Sequence, residues 1–61
     1  EEMIGSVGVV VSDFIGRGLV HVHGERWQAE SAEPLVRGQR VVVTGRDGLI
    51  LSVRANMENT T

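Results

Sequence analysis

Cysteine is absent from this chain of 61 residues. No disulfide framework or thiolate metal cluster can therefore hold the fold, and cohesion has to come from apolar packing and sheet hydrogen bonds. Lysine is absent too: the six basic residues are all arginine, against eight acidic residues, for a formal net charge of −2. That balance offers no basic footprint for a phosphate backbone, so nucleic acid is not the expected partner. Aromatic residues number only two, Phe14 and Trp27, too few for the stacking platform of a single-strand-binding barrel. No apolar run of about 18 residues occurs, and no cationic start precedes an apolar stretch as in a secretory leader. The opening Glu1-Glu2 in place of methionine suggests a piece of a longer chain. A chain this short builds one small domain, which buries only about 60% of the surface exposed by the unfolded chain.

What is present is valine and glycine in alternation. No window repeats apolar residues at i, i+3, i+4 and i+7 for three turns, so strands are expected throughout. The first is expected over 4–14, where Val7, Val9 and Val11 alternate with Gly8, Val10 and Ser12 and are read as facing the core. Gly5 and Gly8 within it point to a bulge or bend. A loop over Ile15-Gly16-Arg17-Gly18 leads to a strand over 19–23, with Val20 and Val22 on one face and His21 and His23 on the other. Gly24-Glu25 is read as the turn into a strand over 26–31, which would set His23 opposite Arg26 and His21 opposite Gln28. Pro34 and the small polar residues around it make 31–38 a connector. Strands over 39–45 and 49–54 follow, joined by Arg46-Asp47-Gly48, and 55–61 is read as a frayed, disordered tail. Five short strands in residues 1–54 fit an all-β, five-stranded Greek-key barrel of the OB type, with an SH3-like barrel as the nearest competitor.

Chemistry is sparse. His21 and His23 could give two imidazoles to a zinc ion, but no third ligand is evident and a cation lies beside them, so a solvated strand face is the preferred reading and no metal or other cofactor is expected. Trp27 alternates with Arg26 and Gln28 on the side of Ala29 and is expected to cap the core, its indole N–H finding an acceptor. Ser6, Ser12, Ser31 and Ser52 have no positioned base, which argues against an enzyme. The arginines are interspersed with acids, as in Glu25-Arg26 and Arg46-Asp47, and read as a mixed charged surface.

Three segments carry a family resemblance: "IGSVGVVVSDF", "GRGLVHVHGERWQAES" and "LVRGQRVVVTGRDGLILSV". From Ile4 to Arg54 the chain resembles the C-terminal soluble domain of NfeD-like membrane proteins, most specifically in "GERWQA". Its matching structural positions are Gly5, Gly8, Gly24, Trp27, Gly38 and Gly48. The first loop departs from the family's common proline-containing form. The resemblance implies an OB-fold domain on a membrane-anchored parent, with the cytoplasmic side favoured. It also implies partners among the stomatin, prohibitin and flotillin scaffold proteins, possible self-association, and a part in regulating membrane proteolysis. Docking is expected through an exposed barrel edge or loop, with strand four or the connector 32–38 as the surface and Arg37 and Arg40 as candidate contacts. The alternative is an OB-fold that binds single-stranded nucleic acid or another anion.

Overall fold

The structure is a computed structural model that describes residues 3–56. It contains β1 (Val7–Val10), β2 (Phe14–Val22), β3 (Glu25–Leu35), β4 (Arg40–Asp47) and β5 (Ile50–Ala55). These form a closed barrel in the order β1-β2-β3-β5-β4, with β4 returning to β1. All ladders are antiparallel except β3 with β5. The fold is all-β, in the five-stranded Greek-key order of an OB barrel. Every strand sends aliphatic side chains inward: Val10, Val20, Ala29, Val41, Val43, Leu51 and Val53 are buried, and Leu35 closes one end.

The phase of β1 is opposite to that expected from the alternation. Val7 and Val9 are exposed, while Gly8 and Val10 point inward. Alternation of valine with glycine and valine is compatible with either phase, and the close crossing of β1 over β2 decides it. A Cβ at Gly8 would lie 2.8 Å from the His21 carbonyl oxygen and 2.5 Å from Val22 Cγ2. Only a residue without a side chain fits inward there, and the period of two then turns Val7 and Val9 outward.

Several expected boundaries shift for similar reasons. Residues 4–14 do not form one strand: Gly5, with φ of 95°, turns the chain before a four-residue β1. The expected loop 15–18 belongs to β2, with Gly16 opposite Ser31, Gly18 opposite Ala29, and a bulge between Phe14 and Gly16. The expected connector 31–38 is strand as far as Leu35. Pro34 is tolerated because β5 pairs with β3 only over Gln28–Glu30, which leaves the later part of β3 as an edge where no ladder donor is required. Ala55 ends β5, and the Asn56 N–H donates to the Arg40 carbonyl at 2.9 Å, so these two residues are not part of a frayed tail. The remainder of that expected tail, 57–61, lies outside the described residues.

The β2–β3 turn is also one residue earlier than expected. His23 and Gly24 occupy its centre with φ of 54° and 78°, the two positive angles of a type I′ hairpin. Histidine tolerates this region better than most residues. Val22 therefore pairs with Glu25 and His21 with Arg26. The β4–β5 turn is Gly48-Leu49, with Asp47 paired to Ile50.

Candidate partner-binding surface

At the end of the barrel where β1 passes into β2, Phe14, Ile15, Pro34, Leu35 and Val36 line a shallow depression of about 480 Å³, with Asp13 at its rim. Phe14 and Leu35 are register partners that close the core from below. Ile15 and Val36 instead face outward, 81% and 55% exposed. The bulge after Phe14 turns Ile15 out of the ladder, and Val36 follows the last residue of β3.

The loop after β3 is firmly held. The Arg37 N–H donates to Asp13 Oδ1 at 2.7 Å, and the Val36 N–H donates to Gln39 Oε1 at 3.1 Å. The Gly38 N–H donates to the Val10 carbonyl at 2.9 Å, with Gly38 at φ of 86°. Arg37 thus stands on a fixed backbone beside the apolar depression. Arg40, the other expected contact, lies on β4 as the register partner of Val9, not on this loop.

Docking by strand addition finds little room. The barrel is closed, and the edge left on β3 is blunted: Pro34 has no N–H, and the Glu33 N–H donates to Ser31 Oγ at 3.2 Å. Where β3 leaves β5, a cleft of about 580 Å³ opens between Gly16, Arg17, Glu30, Ser31, Ser52 and Val53. Its charges are an exposed ion pair, Arg17 Nη2 to Glu30 Oε1 at 3.5 Å.

The two histidines are separated in role by the turn. His21 is on the outer face of β2 opposite Arg26, and His23 is a turn residue. No group of three or more His, Cys, Asp or Glu side chains that could hold a metal ion occurs among the described residues. Trp27 faces inward opposite Val20 and packs against the core. Contrary to expectation, its buried Nε1 has no acceptor among the described residues. The Arg46 guanidinium lies over the ring, 5.5 Å from its centroid, while Arg46 Nε donates to the Gly48 carbonyl at 2.8 Å. Arginine thus covers the face that a nucleobase would need. Sequence reasoning overlooked Ile15 and Val36; an isoleucine among glycines in a supposed loop, and a valine after Pro34-Leu35, were the signals available.

The family profile that matches residues 1–54 is the NfeD-like C-terminal, partner-binding domain. A membrane-bound protease of Pyrococcus horikoshii is 42% identical over 55 residues, covering 87% of this chain and 12% of the protease. An uncharacterized protein of Methanocaldococcus jannaschii is 29% identical over 56 residues, covering 88% of this chain and 41% of that protein. This chain therefore spans less than half the length of either relative. Among solved structures, the C-terminal domain of a stomatin operon partner protein from Pyrococcus horikoshii superimposes with a TM-score of 0.85 at 36% identity, covering 92% of this chain and 91% of that one.

Proposed function

The chain belongs to the NfeD-like C-terminal, partner-binding domain family, and from that premise we propose that it is a non-catalytic docking module of a membrane-anchored protein. Its partner in this reading is a scaffold protein of the stomatin, prohibitin and flotillin group. The support on the partner side is the likeness to a domain of a stomatin operon partner protein. The likeness to part of a membrane-bound protease supports a role in regulating membrane proteolysis.

The observation that carries the reading is the apolar end of the barrel. Ile15 and Val36 stand exposed over Phe14 and Leu35 on a backbone fixed by the Asp13–Arg37 hydrogen bond. Apolar side chains on a rigid frame bind with little ordering cost, which suits them to an interface. The chain enters the barrel at Met3, whereas this surface lies beyond the other end of β1.

The test is calorimetric titration of the domain with the soluble part of a stomatin-type scaffold protein. Saturable binding is expected, with Ile15→Asp and Val36→Asp abolishing it and Arg37→Ala weakening it. Failure of the wild-type domain to bind would refute the assignment.

A further inference from the structure

Of the six described residues that line the depression at the Phe14–Leu35 end of the barrel, five are apolar and Asp13 alone is charged. Asp13 lies in the link between β1 and β2 and is exposed. One of its oxygens is engaged: Oδ1 accepts the Arg37 N–H at 2.7 Å, across 24 positions of the chain. Oδ2 has no hydrogen bond or ion pair among the described residues. Arg37 reaches Asp13 through its backbone, and no ion pair joins the two side chains. The carboxylate is thus held in place while part of its accepting capacity stays open to solvent.

That position constrains what can cover the apolar end. A partner packed over Ile15 and Val36, which are 81% and 55% exposed, also takes water from the rim. A carboxylate that loses water without gaining a counter-charge is a net penalty. Paired with a cation at the same dry border, it becomes a charge-assisted hydrogen bond, stronger than one between neutral groups. The segments 13–15 and 33–37, which form this end, carry two carboxylates, Asp13 and Glu33, against one guanidinium, Arg37. Their excess charge is negative, which favours a cationic partner residue.

We infer that the depression takes an apolar segment of the protein partner that bears a lysine or arginine. The apolar side chains rest on Ile15, Pro34 and Val36, and the cation pairs with Asp13 Oδ2. The inference rests on the partner-binding reading and adds the chemistry of the partner. Arg37 meets the partner along its aliphatic stem, the part whose loss in Arg37→Ala weakens binding. A lipid surface fits less well, because a domain of net charge −2 with a carboxylate at the rim of its apolar end is repelled by anionic headgroups.

The test follows backbone amide signals of the labelled protein on addition of a synthetic leucine–lysine amphipathic helix, its leucine–glutamate counterpart, and phosphatidylserine vesicles. The lysine peptide should shift Asp13, Phe14, Ile15, Leu35 and Val36, and the glutamate peptide and vesicles should not. Asp13→Asn keeps an oxygen for the Arg37 N–H, so the Arg37 amide signal should stay in place. The variant should bind the lysine peptide about fivefold more weakly and lose most of the salt dependence. Glu25→Gln makes the same change in net charge at the opposite end of the β2–β3 ladder and should leave affinity within about twofold. No response to the lysine peptide, equal response to both peptides, response to vesicles alone, unchanged affinity in Asp13→Asn, or an equal loss in Glu25→Gln would each overturn the assignment. A scaffold protein that binds wild type and Asp13→Asn alike, but not Ile15→Asp, would discard the cation and leave the partner-binding reading standing.

Discussion

Gly18 lies in the middle of β2, and a Cβ built there would overlap Phe14 at its ring atoms Cδ2 and Cγ and approach its Cβ to 2.7 Å. Turning the ring about χ1 could relieve the first two contacts but not the third, because Cβ is fixed to the backbone. Phe14 in turn is held as the register partner of buried Leu35. Gly18→Ala must therefore distort β2 between these two residues or pull Phe14 off Leu35, an overpacking that costs about 1–3 kcal/mol. A domain of this size has a total stability of about 3–9 kcal/mol. A loss of about 2 kcal/mol lowers Tm by roughly 8–16 °C. Thermal and urea unfolding followed by far-ultraviolet circular dichroism measures both quantities. In a Phe14→Ala background two of the three overlapping atoms are gone, so the same substitution should cost at least about 1 kcal/mol less. A Gly18→Ala variant melting within about 2 °C of wild type, or an equal cost in both backgrounds, would refute the argument.

Trp27→Phe keeps most of the core contact and removes an N–H that is buried without an acceptor among the described residues, a defect worth about 1–3 kcal/mol. Urea unfolding should find the variant within about 1 kcal/mol of wild type, whereas Trp27→Ala, which removes the packing, should cost about 3–5 kcal/mol. Arg17→Ala breaks an ion pair that is half-exposed on both sides, so its effect on urea unfolding should stay below about 1 kcal/mol and shrink further in 1 M salt. Zinc should leave Tm unchanged, because His23 is committed to the turn and His21 faces Arg26; a rise in Tm that disappears in His21→Asn would show a metal site instead.

The fold class was legible in the sequence because period-two valines exclude helix and because five such runs fit few small architectures. The direction of β1 was not. In "VGVVV" either set of alternate residues can face inward, and the choice depends on how closely β2 passes beneath Gly8, a distance set by barrel closure. Pro34 was read as a break because a central strand cannot hold it, but whether a strand is central depends on its neighbours. The β2–β3 turn was misplaced by one residue because its first positive φ is taken by His23, a residue seldom chosen for that role. That single step moved Arg26 from His23 to His21 and took His23 out of the ladder.

The candidate site was harder to read for a reason rooted in size. All five strands fill the interior with aliphatic side chains, so a chain this short has nowhere inside to build a pocket, and recognition falls to its outward residues. Packing constrains those residues least. Ile15, Val36, Val7 and Val9 look like core residues in sequence, and only the three-dimensional register shows that the barrel leaves them outside. The arginines repeat the point for charge. Glu25-Arg26 and Arg46-Asp47 read along the chain as neutralised neighbours, yet the register sets Arg26 beside His21 and Arg46 over the Trp27 ring. In a barrel of this size, the surface that meets a partner is composed across strands, so its chemistry becomes readable only once each residue's cross-strand neighbour is known.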